Sequence, residues 1–190
     1  MNRTIAVVVA VMAFAGSAQA QNGGGRNAGA VVVVGGQAML PTRDIVDNAV
    51  NSADHTTLVV AVQAAGLVET LKGHGPFTVF APVNDAFENL PAGTVETLLR
   101  PKNKAALTKV LTYHVVPGRV TAADLMRMIR EGHGTATLRT ASGGTLTAVM
   151  NGPANVVIRD ETGGVATIST YDVLQRNGVI HVVNRVLLPR

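Results

Sequence analysis

The chain has 190 residues, 47% of them hydrophobic, which is one domain's worth of sequence with ample apolar surface for a single core. Four Phe, two Tyr and no Trp leave that core to Val, Leu, Ile and Ala, and they weigh against a sugar-stacking cleft or a single-stranded nucleic-acid platform, both of which need flat rings. The formal charge of +4 is a mild bias that a solvated surface explains, and the absence of cysteine removes both disulfides and a thioether-linked lipid.

Arg3, the apolar run Ile5 to Ala15 and the small-residue stretch Ala18-Gln19-Ala20 read as an export signal, residues 1–20, cleaved near Ala20. The run is shorter than the roughly 20 residues that cross a bilayer, so no transmembrane segment is expected after cleavage. The mature protein is then secreted or periplasmic. Residues 21–43 read as a flexible Gly-rich leader, in which Val31 to Val34 is either a strand loosely docked on the domain or part of the leader.

The folded domain is placed at residues 44–190. Thr42 or Asp44 caps a short helix through Ile45, Val46, Ala49 and Val50, and Asp54 to Thr57 offer caps for a helix ending at Gly66. A helical turn at Leu67 to Leu71 precedes the strand Phe77 to Ala81, which Pro82 stops, and Asn84 or Asp85 caps the next helix, Ala86 to Leu90. Helices follow near Val95 to Leu99 and Lys102 to Leu111, then a strand Tyr113 to Val116, the turn Pro117-Gly118 and a helix from Thr121 to about Ile129. The remainder reads as strands at 135–140, 145–150, 155–159, 166–170 and 178–188, separated by glycine-bearing hairpin turns. Helices first and an antiparallel meander second make an α+β domain.

Three segments carry a pattern: Gly75 to Phe87; Thr112-Tyr113-His114-Val115-Val116-Pro117-Gly118; and Asn177-Gly178-Val179-Ile180-His181 with Leu187-Leu188-Pro189 behind it. In this order they resemble a fasciclin-like domain, of the small exported single-domain bacterial type, from roughly Asp44 to Pro189. The resemblance implies a wedge-shaped β-sandwich with several short helices packed along one side, and a non-enzymatic role in cell adhesion or matrix binding. In animal adhesion members a Tyr-His pair flanked by aliphatics is associated with integrin binding, and Tyr113-His114 matches it. A second adhesion motif, Asp followed by two aliphatics, matches Asp172-Val173-Leu174, although Thr170-Tyr171 replaces the usual Asn-Lys before it. The alternative for Tyr113-His114 is a buried pair bonded to backbone groups.

Alternation along Phe77 to Ala81 and Val179 to Val183 sends side chains to both strand faces, so these strands are expected to be central and their motifs to determine the fold. The five histidines, at 55, 74, 114, 133 and 181, show no helical i, i+4 pair and no compact run with acids, so no metal and no cofactor is expected. No serine lies in a Gly-x-Ser-x-Gly elbow, Gly73-His74-Gly75 fails the dinucleotide fingerprint, and nucleic acid is not an expected partner. Lys102, Lys104 and Lys109, beside Arg100 and joined at most by Arg119, Arg127 and Arg130, form the electrostatic candidate for a partner surface. The expected function is therefore an exported interaction module binding a cell-surface, envelope or matrix protein or an anionic polysaccharide. Its alternative is a periplasmic small-ligand binder, or an enzyme whose site assembles from distant residues.

Overall fold

A computed structural model describes residues 31–190; the expected export signal and the first part of the leader lie outside the described residues. The chain first forms a hairpin, β1 (Val32–Val34) and β2 (Gln37–Met39), turned by Gly35-Gly36 with both glycines at positive φ. Val34 and Met39 are buried in a core that also holds Ala81, Val173, Ile180 and Val182 of the sheet, so this segment is a packed strand pair, not a loosely docked leader.

Six short helices follow, interrupted once by a strand. They are α1 (Ile45–Ala49), α2 (Thr56–Ala65), α3 (Val68–Lys72), then β3 (Phe77–Pro82), and α4 (Asn84–Glu88), α5 (Thr94–Leu99) and α6 (Lys104–Tyr113). Asp44 caps α1 by accepting from Asp47 N–H at 2.8 Å, and Gly66 ends α2 in the left-handed conformation, both as the sequence implies. Tyr113 differs from expectation: it closes α6, and the strand β4 begins only at Val115 (Val115–Pro117). Leu107 and Leu111 keep the helical stripe buried to the end of α6, so tertiary packing carries the helix past the β-favouring residues. Next, α7 (Ala122–Glu131) starts with a complete capping box between Thr121 and Asp124.

The rest is sheet: β5 (Thr135–Arg139), β6 (Thr145–Asn151), β7 (Asn155–Arg159), β8 (Val165–Gln175) and β9 (Gly178–Val183). The order across the seven-stranded sheet is β4-β3-β9-β8-β7-β6-β5, in which β3 runs parallel to β9 and every other pairing is antiparallel. β8 is twice the expected length, because a bulge at Asp172, whose φ is +54, interrupts the alternation while pairing to β9 continues through Gln175. β9 in turn stops at Val183, short of the expected Leu188.

β3 and β9 are covered on both faces. Val79, Ala81, Ile180 and Val182 join the core under α1 to α6 and the N-terminal hairpin. Phe80 and Val183 join a second core with Leu125 and Ile129 of α7 and Leu146, Val156 and Ile158 of β6 and β7. The parallel pair is thus the shared wall of two cores, and the sheet closes around one of them in a sandwich-like way.

Candidate functional site

The polar residues of the motifs act at a distance. Asn84 does not cap its own helix; its Oδ1 accepts from Thr57 N–H at 3.0 Å and its Nδ2 donates to the Ala53 carbonyl at 2.8 Å, so it caps α2 from β3's far end. Asn177 does the same for α1, accepting from Ile45 N–H at 3.1 Å, and its amide donates to the Leu71 carbonyl at 2.7 Å at the end of α3. Asp172, in the β8 bulge, accepts from Ala122 N–H at 2.8 Å, the first amide of α7. These three side chains satisfy helix-end groups that would otherwise lack partners and fasten the helical layer to the sheet.

Tyr113 and His114 are both buried. The Tyr113 hydroxyl donates to the Thr145 carbonyl at 2.6 Å and accepts from Glu161 N–H at 3.0 Å, and burial pushes it up to about 12. His114 Nδ1 donates to the Val110 carbonyl at 2.8 Å, while Nε2 accepts from Leu187 N–H at 2.9 Å, which sets the Nδ1–H tautomer. Val173 is buried and Leu174 half-buried. In this fold the Tyr-His pair and Asp172-Val173 are therefore committed to internal bonds and packing.

Burial of His114 lowers it from the usual 6.5 to about 4, and burial likewise lowers His55 and His181. A base whose affinity for protons falls on folding is protonated first in the unfolded chain, so its contribution is intact above pH 6.5 and declines as pH falls towards 4. For His114 alone the expected loss between neutral pH and about pH 5 is about 2 kcal/mol. Denaturant unfolding at the two pH values checks it, with His114→Gln showing a smaller pH-dependent loss; an unchanged loss in the variant would contradict the assignment.

The basic residues are differently placed. Lys102, Lys104 and Lys109, with Arg100, are exposed on the turn at 101–103 and along α6, and none forms an ion pair among the described residues. Lys109 also reaches the Arg190 carbonyl. Arg127, on α7, pairs with Asp124 at 2.7 Å. Arg119 does not join the α6 group.

Arg119 instead meets residues that sequence reading passed over. Phe77 at the start of β3 pairs with Pro117 on one side and Gly178 on the other, so three loops converge at that end of the sheet. They bring Lys72, His74, Arg119 and Arg176 around an open cleft of about 880 Å3. Two of these cations are anchored from α1: Lys72 to Asp47 at 2.7 Å and Arg176 to Asp44 at 3.3 Å. The hydrogen-bonded Lys72 ammonium draws Asp47 below the usual carboxylate range, and Asp47 raises Lys72 in return. Only the strand pairing, which joins residues about a hundred positions apart, reveals this cleft. Among the described residues no group of three or more His, Cys, Asp or Glu side chains could hold a metal ion, and no helix is long and apolar enough to cross a membrane.

A family model described as the Fasciclin domain matches residues 53–189. Protein sll1483 of Synechocystis sp. is 48% identical over 146 residues, which cover 76% of this chain and 73% of that protein. An uncharacterized protein of the same organism, sll1735, is 40% identical over 149 residues, or 76% of this chain and 97% of the relative. Among solved structures, the FAS1 domain pair of the insect cell adhesion molecule fasciclin I superposes with a TM-score of 0.69 at 18% identity, over 78% of this chain and 52% of the pair. With the two long motifs meeting as the parallel pair β3–β9 inside that fold, the chain belongs to the fasciclin domain family.

Proposed function

We propose that the protein is an exported, non-enzymatic interaction module that binds a cell-surface, envelope or matrix component, a protein or an anionic polysaccharide, through its exposed basic face. Family membership and the expected export signal support the general reading. The observation that carries the choice of surface is the row Lys102, Lys104 and Lys109, exposed and without an acidic partner among the described residues, whereas Tyr113, His114, Asp172 and Val173 are engaged inside the fold. Exposed cations of this kind draw a polyanionic partner by long-range attraction, and such binding weakens with salt. Cleavage near Ala20 removes Arg3 and leaves 15 basic against 12 acidic residues, which keeps the mature chain positive. A pull-down from envelope or matrix extract at low salt tests the proposal: the protein is expected to retain a component that a neutral control domain does not, and retention of nothing beyond that control would sink it.

A further inference from the structure

Two hollows meet at the end of α3, where Lys72 lines both. One is an apolar cavity of about 230 Å3 between α1, α2, α3 and the β3–β4 face, walled by Val46, Leu58, Val62, Val68, Leu71 and Val115. Among the described residues the only charged side chains in its lining are Asp47 and Lys72, which are partly exposed and paired with each other. His114 also borders it, but both ring nitrogens are already bonded to the backbone, so the cavity offers a ligand no polar anchor there. The other hollow is the basic cleft, whose lining, among the described residues, holds Lys72, His74, Arg119 and Arg176 and no acidic side chain.

These two environments differ in what they accept. A protein cavity of about 150 Å3 takes benzene, so by proportion 230 Å3 accommodates roughly nine carbon atoms. The cleft favours an anion. Lys72 has three donors and each guanidinium five, and the bonds to Asp47, Asp44 and the Gln175 carbonyl leave donors on Lys72, Arg176 and Arg119 free for one. Asp44 and Asp47 hold their cations from α1, outside the cleft lining.

We infer that the two hollows form one site for a small anionic amphiphile: a single aliphatic chain of roughly nine carbons, sized by the cavity, with a carboxylate head among Lys72, Arg119 and Arg176. The chain leaves water for the apolar wall, and the head exchanges water for charge-assisted hydrogen bonds. Both halves are needed, and Lys72 stands where they adjoin.

Calorimetric titration of the full chain with decanoate, decanol and acetate separates the contributions. Decanoate is expected to bind one to one and at least about tenfold more tightly than decanol, a margin typical of one charge-assisted contact, and acetate is expected not to saturate over the same range. Val46→Trp, which crowds the half-buried rim of α1, and Ala49→Leu, which narrows the cavity more gently, are each expected to weaken decanoate about tenfold while the melting temperature confirms a folded protein. Lys72→Gln, which leaves Arg119 and Arg176 in place, is expected to weaken decanoate about tenfold while leaving decanol unchanged. Decanol binding as tightly as decanoate to the native protein, no saturable decanoate binding, or decanoate binding unchanged in both cavity variants would overturn the inference.

Discussion

Phe80→Ala is expected to lower the unfolding free energy by about 3 to 5 kcal/mol, the range for an aromatic side chain removed from a core that cannot collapse around the gap. Phe80 has no exposed surface and packs in the second core with Leu125, Ile129 and Leu146. Its ring stacks on that of His181 at 5.6 Å between centroids, and Phe80 lies opposite His181 in the parallel pairing. On either side of it Val79 and Ala81 face the first core, so β3 cannot shift to fill the void without unpacking the helices. Urea unfolding of the native and variant proteins measures the difference; a loss under about 1 kcal/mol would mean that the site is not part of a rigid core.

Gly178→Ala is expected to be at least as damaging, for a different reason. Gly178 does not have the positive φ that commonly demands glycine. What it has is proximity: a Cβ there would lie 2.2 Å from the Phe77 carbonyl oxygen and 3.0 Å from Ile45 Cδ1. Gly75 shows the reciprocal restriction, since a Cβ on it would lie 2.0 Å from the Asn177 carbonyl oxygen. The first of these contacts is with backbone, so no change of side-chain rotamer relieves it. β9 must move away from β3, and Asn177, adjacent in the chain, must then release Ile45 of α1 and the Leu71 carbonyl of α3. Overpacking at a site that cannot yield costs about 3 kcal/mol or more. The variant is expected to melt far below the native protein or to be recovered unfolded; a melting temperature within a few degrees of native would show that β3 and β9 are less tightly joined than the geometry requires.

These two residues explain why the motifs were legible as fold determinants before their partnership was visible. The alternation in Phe77 to Ala81 and Val179 to Val183 already implied strands packed on both faces, as found. Local signals also served well at Gly66, Asp44 and Thr121, where the capping group and its partner lie within a turn of each other. They failed where the partner is remote. Asn84 sits where a residue should cap its own helix, yet it caps α2; Asn177 looks like a turn residue, yet it holds α1 and α3. Nothing local distinguishes a side chain that bonds its neighbour from one that bonds a residue more than a hundred positions away. The bulge at Asp172 hid half of β8 for a related reason, because an extra residue breaks the period of two on which strand recognition depends.

The candidate site divides along the same line. Lys102, Lys104 and Lys109 were readable because they cluster in sequence and α6 leaves them exposed. The cleft around Lys72, His74, Arg119 and Arg176 exists only through the β4-β3-β9 pairing, so its members appear unrelated along the chain. Tyr113 and His114 resemble an adhesion motif in sequence, but their polar atoms bond the Thr145, Val110 and Leu187 backbone inside the domain.

The division of labour between a motif-built frame and an exposed basic face is tested most directly by reversing the three lysines together. The native protein and the Lys102→Glu, Lys104→Glu, Lys109→Glu variant would be compared for binding to the component retained from the extract, at low and at high salt, with melting temperatures recorded alongside. Binding of the native protein is expected to weaken as salt rises, and the variant to bind at least about tenfold more weakly at low salt while melting within a few degrees of native. A variant that stays folded and binds as tightly as the native protein would contradict the account.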